Sequence, residues 1–173
     1  MQISSISQDY IIDFLTSAKD HGTNEEFISA VRKQLVIMAY DPSITKIMHG
    51  SDNDLCVIKS VLKFSFLNFV DTARVDVEIR KQQNIRGLAT LLKEYLGEYM
   101  SKDYQVSEWR IRPIPQSMLE YARKDSFVLP FLARVMLGVL PEERVKEVVM
   151  AGCRQARKNK KTSQPLIKSV QAH

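Results

Sequence analysis

Residues 109–125 read Trp109-Arg110-Ile111-Arg112-Pro113-Ile114-Pro115-Gln116-Ser117-Met118-Leu119-Glu120-Tyr121-Ala122-Arg123-Lys124-Asp125. Pro113 and Pro115 bar a helix upstream, while Met118, Leu119, Ala122, Val128 and Leu129 recur at helical spacing behind them. The stretch is a two-proline loop feeding a helix. On that helix Tyr121 and Asp125 lie four residues apart, so they share one face, one turn apart. A phenol over a carboxylate can hold a metal ion and steer a water. Amphipathic helices also carry such pairs on their surfaces by chance, so the meaning of this one depends on the rest of the chain.

The chain has 173 residues, 45% of them hydrophobic, which is enough for one domain with a core and too little for two ordinary ones. A net charge of +5 favours a polyanionic partner mildly. Cys56 and Cys153 are far apart, with no Cys-x-x-Cys or Cys/His cluster, which argues against zinc and for a reducing compartment. No apolar run reaches membrane-spanning length, and no basic stretch followed by an apolar one opens the chain. A soluble intracellular protein with no membrane partner is expected.

Along the chain, Met1–Ser5 and Asp9–Leu15 read as strands, the second ending near Ser17, and Asp20 to Asn24 as a turn. A helix starts at Asn24 and ends near Pro42, Ile44–Met48 is a short buried strand, and His49-Gly50-Ser51 turns the chain. Asp52–Lys63 is helical, Phe66–Val70 is a strand, and Asp71-Thr72 opens a helix to about Arg80. Leu88 to Leu96 forms a helix closed by Gly97; the proline loop follows, Pro130 bends the next helix or removes one of its hydrogen bonds, and the last begins after Pro141. Strands alternating with helices imply an α/β fold. The basic run Arg154, Arg157, Lys158, Lys160 and Lys161 reads as a solvated helix end, with nucleic-acid contact or nuclear import as the alternative.

Two segments carry a family resemblance. Ser107 to Pro115, with Tyr121-Ala122-Arg123-Lys124-Asp125 behind it, resembles the third exonuclease motif of the ribonuclease D family, most of all the nuclear exosome exonuclease subunit. Asp41 to Leu55, containing His49-Gly50-Ser51-Asp52-Asn53-Asp54, resembles the second motif and its lead-in, and Asn68 to Thr72 the strand-to-helix step after it. Taken alone, Asp52 and Asp54 read as helix caps. The resemblance implies a ribonuclease H-like (DnaQ-like exonuclease) mixed sheet flanked by helices, with residues 1–150 a partial 3′–5′ exonuclease domain and 151–173 a basic C-terminal tail. It implies hydrolysis of RNA from single-stranded 3′ ends by two ions of Mg²⁺ or Mn²⁺ held about 3.5–4 Å apart. Asp54 and Asp125 would be metal ligands and Tyr121 the group that orients the water. His49, Arg110 and Arg112 are candidate nucleic-acid contacts, although His49 also reads as a packing residue. Exosome-type partners and a nuclear location, with a cytoplasmic one as the alternative, follow from the same resemblance.

One part of the family pattern is missing. Its Asp-x-Glu ligand pair stands on the first central strand, and Met1-Gln2-Ile3-Ser4 resembles the middle of the second. The chain is therefore expected to be N-terminally truncated and to lack both that strand and activity. The strands near Met1 and Tyr10 then either pair with the Ile44 strand across the gap or leave the sheet open. Asp76-Val77-Glu78 lies on a later helix and reads as a solvated helix face. A module that binds RNA or protein without cutting is the alternative, and a scaffold domain a third.

Overall fold

Strand β4 (Phe69–Asp71) lies at the centre of the packing. Successive strand residues point to opposite faces, so Phe69 enters one hydrophobic cluster with Ala39, Leu55, Ile58, Leu62, Phe64 and Phe66. Val70 enters a second with Val75, Leu91, Leu92, Val128, Leu132 and Met136. β4 pairs in parallel with β3 (Lys46–Met48), in register Lys46↔Phe69, Ile47↔Val70 and Met48↔Asp71. A separate antiparallel pair joins β1 (Gln2–Ser4) to β2 (Asp9–Ile11), with Ile3 opposite Tyr10. This computed structural model describes residues 1–15, 23–101 and 103–158.

The helices follow in chain order: α1 (Asn24–Tyr40), α2 (Asp52–Val57), α3 (Thr72–Arg80), α4 (Leu88–Leu91), α5 (Gln116–Phe127), α6 (Leu129–Gly138) and α7 (Glu142–Lys158). α2 and α4 each run on into a π-helical segment, Ile58–Leu62 and Leu92–Leu96. A capping box starts α1: the Thr23 hydroxyl accepts from the Glu26 amide, and the Glu26 carboxylate accepts from the Thr23 amide. Gly97, at φ 68°, closes the Leu92–Leu96 segment as expected. Pro130 breaks one long helix into α5 and α6 at Val128. α5 packs on β1 and β2, and α7 packs on β4. The layers are those of a mixed α/β domain.

One open alternative is settled, and the strand lengths change. The sheet is divided: among the described residues β1–β2 and β3–β4 share no ladder, so of the two arrangements foreseen the open one forms. α5 covers the β1–β2 pair, where the Ser4 and Ser126 hydroxyls lie 2.7 Å apart. Strands are also shorter than their apolar runs. β2 ends at Ile11, two residues before Asp13 takes the Leu15 amide at 2.9 Å. β4 starts late because Asn68 is left-handed (φ 49°), its amide tied to the Pro42 carbonyl and the Thr45 hydroxyl. Ser17, where the second strand was expected to end, the turn from Asp20 to Gly22 and the chain beyond Lys158 lie outside the described residues.

Candidate active site

The loop before α5 is held from inside. The Arg112 guanidinium makes a two-pronged ion pair with Asp13 at 2.6 and 2.7 Å and donates to the Trp109 and Ile111 carbonyls. Arg112 thus ties the loop to the end of β2. Arg110 points outward and pairs with Glu108, whose carboxyl those hydrogen bonds pull down to about 2. The Trp109 indole donates to the Tyr104 carbonyl at 3.1 Å. Pro115 then opens α5, its carbonyl receiving the Met118 and Leu119 amides, and Met118 and Ala122 turn into the core.

That anchoring leaves Tyr121 and Asp125 on one face. Tyr104 meets the Tyr121 ring edge-on at 5.8 Å, and Trp109 lies tilted at 6.2 Å, so an aromatic wall fixes the phenol. Burial and then the Asp125 charge raise the Tyr121 pKa, so the phenol keeps its proton. Burial alone pushes Asp125 up to about 6; no cation or hydrogen-bond donor among the described residues contributes.

The second cluster forms where β3 and β4 end. Asp71 is 2% exposed, and its carboxylate accepts from the Gly50 amide (3.0 Å), the Ser51 amide (2.9 Å), the Ser51 hydroxyl (2.6 Å) and the Ala73 amide (2.9 Å). One buried carboxylate thereby caps α3 and clamps the turn leading into α2. The Thr72 hydroxyl donates to the Met48 carbonyl and lies 2.9 Å from His49 Nδ1, so the network places the neutral imidazole's proton on Nδ1. Burial lowers the His49 pKa. Asp52 reaches Arg74 at 3.0 Å. Asp54, on the first turn of α2, is exposed as a residue; partial burial of its carboxyl and then the negative charge of Asp71 raise its pKa.

Two half-sites result: Tyr121 with Asp125, and Asp54 beside Asp71. Among the described residues no three His, Cys, Asp or Glu side chains converge closely enough to hold a metal ion. The oxygen donors of Asp54 and Asp125 suit a hard divalent cation.

The 3′–5′ exonuclease family profile matches residues 1–139. The chain belongs to the 3′–5′ exonuclease family. Among its relatives, Arabidopsis thaliana Protein RRP6-like 1 is 33% identical over 136 residues, covering 79% of this chain and 20% of that protein. Human Exosome complex component 10 is 33% identical over 132 residues, covering 76% of this chain and 13% of that protein. This exonuclease-family chain therefore spans a fifth or less of these two relatives. The crystal structure of Escherichia coli RNase D, described as an exoribonuclease involved in structured RNA processing, superposes with a TM-score of 0.59 at 28% identity, over 72% of this chain and 34% of that one.

The reading of Asp76-Val77-Glu78 as a solvated face is corrected. Asp76 is 0% exposed and accepts from Arg80 (2.9 Å), Arg86 (3.0 and 2.6 Å) and the Tyr95 hydroxyl (3.2 Å). Burial works to raise its pKa, but the bonds from Arg86 and Arg80 outweigh it and hold the carboxyl below its ordinary value. Glu78 is partly covered and pairs with Lys81 and Arg144. The only sequence signal for this network is the four-residue spacing of Asp76 and Arg80. Asp71 reads in sequence as a helix opener and no more, because its bonds to the Gly50–Ser51 turn come from a strand pairing across more than twenty residues.

Proposed function

We propose that this polypeptide supplies the second and third metal-binding segments of a 3′–5′ exoribonuclease site, with Asp54 and Asp125 as ligands and Tyr121 as the group that orients the attacking water. The observation that carries this is the Tyr121–Asp125 face: a protonated phenol held by an aromatic wall beside a carboxylate with no described cation against it. Two Mg²⁺ or Mn²⁺ ions, when bound, would supply an activated water and stabilise the leaving oxygen. Asp71 holds the turn that sets the α2 end from which Asp54 projects, and Arg112 braces the loop in front of Tyr121. Of the proposed nucleic-acid contacts, Arg112 also braces the loop and His49 also bonds Thr72. Arg110, an exposed side chain paired with Glu108, is the most open of the three to a phosphate.

The substrate is RNA, a reading supported by the description of the Escherichia coli structure as an exoribonuclease; attack from the 3′ end accords with the family's 3′–5′ description, and a single-stranded end is the form that the family resemblance implies. Exosome-type partners are supported by the name of the human relative; a nuclear location, with the cytoplasm as alternative, rests on the family resemblance. No helix among the described residues is long and apolar enough to cross a membrane. Residues 1–150 are proposed as the exonuclease portion and 151–173 as a basic tail, although α7 runs through residue 150 without a break.

With two half-sites and no three-ligand cluster among the described residues, this polypeptide by itself does not cut. Incubated with Mg²⁺ and 5′-labelled single-stranded RNA, the polypeptide leaves the RNA at full length. Stepwise shortening that disappears in Asp125→Ala would contradict this and show a completed site. Saturable RNA binding without shortening, unchanged in Asp125→Ala, would favour the second reading, a degenerate RNA-binding module.

A further inference from the structure

The outer side of α5 and α6 carries an apolar ridge that the exonuclease reading leaves unused. Phe131, Val135 and Val139 recur every fourth residue along α6 and its C-cap and so line up over about 12 Å at 1.5 Å per residue, and Phe127, four residues earlier at the end of α5, joins them through its contact with Phe131. Phe131, Val135 and Val139 are 45%, 41% and 58% exposed, while Leu132 and Met136 on the same helix are fully buried. At its N-terminal end the ridge borders a groove of about 600 Å³, lined by Leu96, Glu98, Glu120, Lys124, Phe127 and Phe131. The Phe127 and Phe131 rings pack at 5.4 Å, and the Arg123 guanidinium lies over Phe127 while pairing with Asp9.

The charges beside the ridge indicate what covers it. Lys124 lies three residues before Phe127 and Arg134 three after Phe131, which puts them on opposite sides of the ridge. Neither makes an ion pair with a described residue; Lys124 donates only to the Tyr99 carbonyl. Glu98 and Glu120 stand at the groove end. Nucleic acid fits this surface poorly, because bases stack on aromatic faces, Val135 and Val139 present none, and the two glutamates repel phosphate. A row of side chains at four-residue spacing is, by contrast, the surface that interlocks with another helix.

We propose that this ridge and groove dock an amphipathic helix of a partner protein, one with acidic residues along both flanks of its apolar face and a basic residue at the end lying over the groove. The inference does not depend on the metal site. Its probe is a fluorescein-labelled helical peptide of about 18 residues, with leucines at every third or fourth position, flanking glutamates and one terminal lysine, titrated with the 173-residue chain and read by anisotropy. Saturable binding is expected, weakened by about tenfold or more in Val135→Asp and in the double variant Lys124→Glu/Arg134→Glu. Val139→Asp, at the helix end, serves if circular dichroism shows that Val135→Asp unfolds. Absence of binding up to about 1 mM chain, or equal binding of a lysine-flanked peptide, would overturn the proposal. So would displacement of the peptide by single-stranded RNA, or self-association of the chain that Val135→Asp abolishes.

Discussion

Asp125 and Asp76 are both covered carboxylates, and their surroundings send them in opposite directions. Asp125 meets burial alone and rises to about 6, whereas Asp76 meets two guanidinium groups and falls. An unfolded aspartate titrates at about 3.9. Below that pH both states hold the Asp125 proton; between about 4 and 6 the unfolded chain releases it first, so native stability drops, and above about 6 the penalty is complete. Asp125→Asn should therefore stabilise the fold by on the order of 1–3 kcal/mol at pH 8, with the gain fading by about pH 3, in urea unfolding series. Asp76 has the reverse sign: its contribution is present above about pH 4 and is lost as pH falls through its depressed native value. Asp76→Ala, which leaves Arg80 and Arg86 without their shared partner, should cost about 2–4 kcal/mol at pH 7 and little in strong acid. The spacing of Tyr121 and Asp125 was legible because four residues on a helix is a fixed geometry. The burial of Asp76 was not, since an Asp/Glu/Arg helix face looks the same in sequence whether water or Arg86 lies over it.

The helices were readable where local chemistry decides them. Asn24 before two glutamates, Gly97 and the proline breaks place helix ends without tertiary information, and the Thr23–Glu26 capping box is the local chemistry behind the first of them. Strand lengths were not readable, because Asn68 and Asp13 end them through bonds to distant or non-repeating partners. The close approach of α7 to β4 was also hidden. A side chain at Gly152 of α7 would place its Cβ 2.5 Å from the Phe69 carbonyl oxygen, and the neighbouring Cys153 sulfur accepts the Phe69 amide at 3.4 Å. Inside an exposed helix Gly→Ala gains up to about 1 kcal/mol; at Gly152 the sign should reverse. Gly152→Ala should lower stability by about 1–3 kcal/mol, measured by thermal or urea unfolding, because α7 must lift from β4. An unchanged or raised midpoint would mean that α7 is not seated as described.

At the scale of the molecule, β4 divides the core into two clusters and its end supplies Asp71, so the same three residues build the packing and brace the Asp54 turn. The family was legible because its second and third motifs are contiguous runs. How the two motifs stand toward each other was not, since it depends on a sheet whose strand pairs form separately among the described residues. Asp54 and the Tyr121–Asp125 face are the proposed metal-binding half-sites of an exonuclease. Paramagnetic Mn²⁺ tests this assignment without requiring turnover. Titrated into the isotope-labelled chain, Mn²⁺ should broaden amide signals around Asp54 and around Tyr121 and Asp125 before others, with each set relieved by Asp54→Ala or Asp125→Ala respectively. Broadening confined to other acidic residues, or unaltered by both substitutions, would contradict it.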